Sequence, residues 1–174
     1  MKNIVVVGFP GSGKTTIGRK LAAYLHLHFV DLDEAIEAKY RTTIPHLFEK
    51  YGEFAFRKCE SETLQELLLR PDLLISTGGG APCFENAMQL INQHAISVYF
   101  QLSEAVLVQR LMSSRKKRPL VTGSDIATVK QYVHQTLAVR APYYEQADII
   151  LTEDSLLDLN ALDSVFATIN FSLK

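Results

Sequence analysis

The sequence predicts an α/β protein: a central five-stranded parallel sheet, with helices on both faces forming the outer layers. Three observations predict it. Residues 4–7, 73–76, 96–100 and 149–151 are short, continuously apolar runs rather than alternating ones, as expected of strands buried on both faces. A weaker run at 28–31 supplies a fifth strand. Between the runs lie stretches of helical period, and strands that alternate with helices wind into a parallel sheet. At 174 residues with 47% hydrophobic and 21% charged content, the chain reads as one ordinary globular domain spanning 1–174.

Taken in order, the run at 4–7 leads into glycines. The first helical pattern follows, marked by Ile17, Leu21 and Leu25. After the strand at 28–31, residues 34–69 carry two or three helical patterns with no strand between them; Phe56, Cys59, Leu64, Leu67 and Leu68 mark one of these. This segment, about 32–69, is expected to be a helical insertion over one edge of the site. The runs at 73–76 and 96–100 follow. Residues 113–123 are polar, basic and broken by Pro119 and Gly123, which suits a mobile lid. A helix carrying Ile126, Val129, Val133 and Leu137 then precedes the last strand.

The balance of charge excludes some partners. A net charge of -1 and a pI near 6.5 leave no overall basic field for nucleic acid or an acidic membrane surface, so anion binding must be local. No 18-residue apolar run is present, and the start of the chain is too short in apolar residues for a signal-peptide core. A cytoplasmic protein is expected. Cys59 and Cys83 are far apart and read as free thiols, and the five scattered histidines offer no metal-ligand spacing.

Local anion binding is explicit at residues 8–15, Gly-Phe-Pro-Gly-Ser-Gly-Lys-Thr, which match the phosphate-loop pattern of two glycines bracketing four residues before Lys and Thr. The glycines let backbone N–H groups of Gly11, Ser12 and Gly13 turn toward a phosphate. Lys14 brings a point charge to the β- and γ-phosphates, and Thr15 offers a hydroxyl to Mg²⁺. The helix that begins here, with Thr16 in its first turn, aims its N-terminus at the same anion. A bound nucleoside triphosphate with Mg²⁺ follows.

The acceptor side is less explicit. Asp31 and Asp33 close the second strand, where the carboxyl ends of parallel strands face the ligand crevice, and strand alternation would put both on one side. One suits Mg²⁺ and the other an acceptor hydroxyl; alternatively, Asp33 serves as the N-cap of a helix starting at Glu34. Arg57 stands one helical turn from Glu60 and four residues after Glu53. It is either an anion-binding fork held by its own carboxylates or part of a solvated salt-bridge face. The glycines at 78–80 either let backbone approach a ligand or merely make a turn. The basic run at 115–118 is either a solubilising stretch or a lid over a triphosphate, with Arg118, set before Pro119, as the contact.

Together these motifs carry a resemblance. The phosphate loop, Asp31 and Asp33, Phe-Arg-x-x-Glu at 56–60, the glycines at 78–80, Arg-Pro-Leu at 118–120 and Arg-x-x-Tyr at 140–143 resemble the ordered signature of the shikimate kinase family, over residues 3–152. That family has a P-loop kinase fold akin to the nucleoside monophosphate kinases. The resemblance implies transfer of the γ-phosphate of ATP to the 3-hydroxyl of shikimate, in aromatic amino-acid and chorismate biosynthesis, by a monomer. It implies that Asp33, Arg57, Gly79, Gly80 and Arg140 hold shikimate, with both arginines on its carboxylate. Asp31 would reach Mg²⁺ through water, Arg110 would lie by the adenine, and Arg118 would descend onto the phosphates. Lys14, Asp33 and Arg118 are the expected catalytic set. The competing readings are a kinase for gluconate or a nucleoside monophosphate, and an ATP-binding module without transfer activity.

Overall fold

The computed structural model describes residues 2–113 and 125–157 together with Ser164, Phe166, Ala167 and Ile169. The expected lid, apart from Ser113, lies outside the described residues, and so does Arg118.

Five strands, β1 (Asn3–Val7), β2 (His28–Asp31), β3 (Leu73–Ser76), β4 (Ala95–Phe100) and β5 (Ile149–Leu151), form an all-parallel sheet in the order β2-β3-β1-β4-β5. β1, β3 and β4 are buried along their whole length, which is why they read as unbroken apolar runs. β2 is an edge strand with His28 exposed, and its weaker apolar signal follows from that place.

The two faces of the sheet carry separate cores. Ile4 and Val6 point to one side, where Leu21 of α1 (Lys14–Tyr24), Leu107 of α5 (Glu104–Ser113) and Val129 of α6 (Ile126–Tyr144) cover them. Val5 and Val7 point to the other. There Ile36 of α2 (Leu32–Tyr40), Leu64 of α3 (Ile44–Leu68) and Ile91 of α4 (Ala87–His94) close the second core. α7 (Glu153–Leu157) follows β5. The period-2 alternation of a strand thus builds three layers from one valine-rich run.

Two features depart from the sequence expectation. Asp31 ends β2, and α2 starts at Leu32, with the Asp31 carboxylate accepting from the Asp33 N–H at 3.1 Å. The N-cap is therefore Asp31 and not Asp33, and the two aspartates are related by a helix start rather than by strand alternation. The insertion at 34–69 resolves into α2 and α3, and α3 is itself broken at Gly52, whose φ of 81° and ψ of 171° lie outside the helix. Only glycine enters that region cheaply, so the segment folds as three helical pieces.

Asn3 ties the insertion to the sheet. Its side-chain amide donates to Leu68 O at 3.1 Å and Arg70 O at 2.6 Å, and its Oδ1 accepts from the Leu73 N–H at 2.9 Å. This one buried side chain joins the start of β1, the end of α3 and the start of β3. Asn3→Ala leaves those backbone groups without their partner. It is expected to cost about 2–4 kcal/mol of stability, read by urea unfolding, since each stranded buried group costs roughly 1–3 kcal/mol.

Candidate active site

The segments that follow β1, β2 and β3 meet at the carboxyl end of the sheet, around a cleft of about 890 Å³. Its walls include Gly11 and Gly13 to Thr16 from the first loop and helix start, Asp31 and Asp33 from the second, Thr77 to Gly79 from the third, and Arg110 from α5. This is where parallel α/β sheets place their ligands.

The phosphate loop owes its shape to Gly11 and Gly13, at φ 92° and 98°, a left-handed backbone that places the amide groups at the start of α1 around one point. Lys14 is buried, and its ammonium donates to Gly8 O at 2.8 Å and Phe9 O at 2.9 Å. Arg110, expected beside adenine, donates through Nη1 to Gly11 O at 3.2 Å and Ser12 O at 3.0 Å. It braces the outer edge of the loop, 99 residues away in sequence. Thr15 Oγ1 donates to Asp31 Oδ2 at 3.1 Å. A hydroxyl and a carboxylate oxygen so paired are the hard oxygen donors that suit Mg²⁺.

On the acceptor side the three glycines have separate jobs. A methyl on Gly78 would lie 3.0 Å from Asp33 Oδ1 and 3.2 Å from Glu60 Oε1. One on Gly79 would collide with the Pro10 ring, 2.6 Å from Cδ, and lie 3.1 Å from Arg140 Nη1, and one on Gly80 would collide with the Arg57 guanidinium, 2.6 Å from Cζ. The glycines at 78–80 therefore do more than turn the chain: the lack of side chains lets Asp33, Glu60, Arg140 and Arg57 crowd onto one stretch of backbone. Arg57 Nη1 donates to Glu60 Oε2 at 2.6 Å and Nη2 to Glu53 Oε1 at 3.4 Å. Glu60 is only 2% exposed, so the solvated salt-bridge face is not what α3 presents here.

Burial drives the carboxylates upward. Asp33 sits above the usual aspartate range, first because it is desolvated and then because Asp31 repels its charge, with Lys14 and Arg57 pulling the other way. It is a better proton acceptor than an aspartate in water, where a value near 4 applies. Glu60 is raised too, by desolvation that outweighs its bond to Arg57.

Two contributors escaped the sequence reading. Tyr144, rather than Tyr143 of the Arg-x-x-Tyr motif, is fully buried and donates its hydroxyl to Gly79 O. Cys83, in the short 3₁₀ turn Ala81–Cys83 after the glycines, lies among Arg140, Arg57 and Glu60. Neither residue has a motif of its own; only their distance to residues 78–80 marks them.

Fold and site together define a P-loop kinase of a small molecule. The comparisons agree and go further: residues 10–170 match the shikimate kinase family. A shikimate kinase of Bacteroides fragilis is 38% identical over 164 residues, 94% of this chain and 92% of that protein. The crystal structure of shikimate kinase from Bacteroides thetaiotaomicron superimposes with a TM-score of 0.90 at 35% identity, covering 99% of this chain and 98% of that one. That of Acinetobacter baumannii shikimate kinase in complex with shikimate gives 0.84 at 36%, covering 100% and 96%. The chain belongs to the shikimate kinase family, an ATP-dependent enzyme that phosphorylates shikimate.

The environment of Cys83 is measurable by its chemistry. Burial pushes its thiol up to about 11, against the pull of Arg140 and Arg57. At pH 8 its alkylation by iodoacetamide is expected to be roughly 10²-fold slower than that of an ordinary thiol near 8.5. Peptide mapping should show the rate still rising about tenfold per pH unit at pH 9, and a plateau by pH 9 would contradict this placement.

Proposed function

We propose that shikimate lies against residues 78–80 with its carboxylate in the forks of Arg57 and Arg140, its ring hydroxyls at Asp33 and its 3-hydroxyl turned toward the phosphate loop. The observation that carries this is the convergence of both guanidinium groups on Gly79 and Gly80 while Asp33 faces Gly78. Two arginine forks match the geometry of a carboxylate, and Glu60 holds one of them in place.

The γ-phosphate of ATP then rests on the N–H groups of Gly11, Ser12 and Gly13 and on Lys14, with Thr16 in the wall beside them and Arg110 toward the adenine. The 3-hydroxyl oxygen bonds to the γ-phosphorus as the bond from that phosphorus to the β,γ-bridging oxygen breaks, and Asp33 accepts the hydroxyl proton. The transition state is loose, so Asp33 serves chiefly to orient the oxygen, and its raised proton affinity suits late acceptance. Thr15, directly, and Asp31, through water, are the residues that would hold Mg²⁺. Bound there, the ion neutralises charge on the phosphate oxygens. Arg118, from the lid at 113–123, completes the charge stabilisation and, with Lys14 and Asp33, the catalytic set.

At the level of the whole chain, we propose a single domain over 1–174 that works as a cytoplasmic monomer without nucleic acid or membrane. Among the described residues no helix is long and apolar enough to cross a bilayer.

Steady-state ADP release with shikimate, with and without Mg²⁺, tests the reading. Lys14→Ala should abolish transfer while circular dichroism stays native. The two kinds of arginine should separate, because a uniform binding contact shows in KM and a transition-state contact in kcat. Arg57→Lys keeps charge but loses the fork, which costs roughly 1.5–3 kcal/mol. The shikimate KM should rise about 10- to 100-fold with the ATP KM unmoved. Arg118→Ala should lower kcat by about 10²–10³. An Arg118→Ala effect confined to the shikimate KM would overturn that assignment.

A further inference from the structure

α3 has a second face. At 100° per residue, Ala55 and Cys59 lie about 160° around the helix from Arg57. On that side the end of α2 and both halves of α3 enclose a cavity of about 490 Å³, which shares no lining residue with the nucleotide cleft. The volume is within the range of small-molecule sites, roughly 300–1,000 Å³. Its body is apolar, built from the Tyr40 ring, Leu47, Ala55 and the Phe56 ring, with Leu47 and Phe56 buried.

The charge at this cavity is one-sided. Lys50, the one lysine, arginine or carboxylate residue of the lining, stands exposed at its rim beside the exposed His46. Of the α3 acids outside the lining, Glu62 accepts from the Tyr40 hydroxyl at 3.1 Å, and Glu49 adjoins Lys50 in sequence. Among the described residues neither His46 nor Lys50 is in an ion pair, and Lys50 rests over the Tyr51 ring at 5.1 Å. Aromatic and aliphatic walls with a cationic rim suit a ligand that has one ring and one anionic group.

The cavity also touches the acceptor site through a single shared side chain. The Phe56 ring that forms one wall lies beneath the Arg57 guanidinium, 5.2 Å from ring centroid to Cζ. It stacks on Phe48 of the first half of α3 at 4.5 Å, across the Gly52 break. A ligand pressing on Phe56 therefore bears on the arginine, and the break at Gly52 lets one half of α3 shift against the other.

We propose that this cavity binds a small aromatic monoanion, with its ring between Tyr40, Leu47, Ala55 and Phe56 and its acid group on Lys50, and that occupancy weakens shikimate binding through Phe56 and Arg57. The coupling rests on the proposed role of Arg57; the binding site does not. The test titrates 3-phenylpropanoate into the full chain and follows amide resonances, beside the neutral 3-phenylpropanamide. Shifts should centre on Thr42, Leu47, Ala55 and Cys59. The amide, and the acid on Lys50→Gln protein, should bind roughly tenfold more weakly, as loss of a charge-assisted hydrogen bond implies. Ala55→Phe, which fills the cavity, should remove the shifts. Added shikimate should weaken the probe by a bounded factor that levels off, and the probe should raise the shikimate Kd, read by titration without nucleotide, by that same factor, leaving the ATP KM and kcat unchanged. Shifts elsewhere, equal binding of acid and amide, or unlimited displacement by shikimate overturn the site. Localised binding with an unmoved shikimate Kd overturns the coupling. Absence of turnover in the wild type would count against the proposed function alone, because the resonance shifts need no reaction.

Discussion

Close approach to one stretch of bare backbone organises this molecule. After β3 the chain runs through three glycines, and side chains from elsewhere fill each vacant Cβ position: Asp33 with Glu60 at Gly78, the Pro10 ring with Arg140 at Gly79, and Arg57 at Gly80. The charged groups come from α2 and α3, which are consecutive, and from α6, which is far away in sequence. A single methyl at Gly80 would stand inside the Arg57 guanidinium. The floor of the acceptor site therefore consists of main chain, and its walls are set by how closely three helices can approach it.

Crowding of this kind has an electrostatic cost that the fold offsets locally. Asp31 repels Asp33 and Asp33 repels Glu60, and burial removes the water that would screen Asp33 and Glu60. Arg57 bonded to Glu60, Lys14 near Asp33, and the helix start capped by Asp31 supply the opposing charge and hydrogen bonds. The result is a set of groups whose positions are held before any ligand arrives, which is the condition under which electrostatic stabilisation of a transition state is largest.

The phosphate half and the acceptor half differ in how they are held. Residues 8–15 follow β1, the central strand of the sheet, and are braced by Arg110, so the loop is an extension of the core. The acceptor half hangs on α3, a helix interrupted at Gly52 and fastened to the sheet by Asn3. Rigid phosphate cradle and jointed acceptor wall suit an enzyme whose donor is always the same triphosphate and whose acceptor must be selected.

Much of this was legible in the residues alone. Continuous apolar runs located four of the five strands to within a residue: β1, β3 and β4 are buried along their whole length and so are mostly apolar, while β5 is an edge strand that is apolar despite the exposure of Ile150. The phosphate loop was legible because its phosphate-binding groups are local: they lie within eight consecutive residues, although Arg110 braces the loop from outside. Which aspartate caps α2 was not, since Asp31 and Asp33 are equivalent in composition and only the point where β2 ends distinguishes them. Nor was the Arg110 brace, the buried hydroxyl of Tyr144 on Gly79, or the place of Cys83 beside two arginines. These depend on contacts across 65 to 99 residues of chain, or on desolvation, and both exist only once the sheet has closed. The sequence by itself determined the layers and the phosphate chemistry, because periodicity and short-range motifs encode them. The tertiary structure alone decided which charges share the glycine floor and how burial sets their proton affinities.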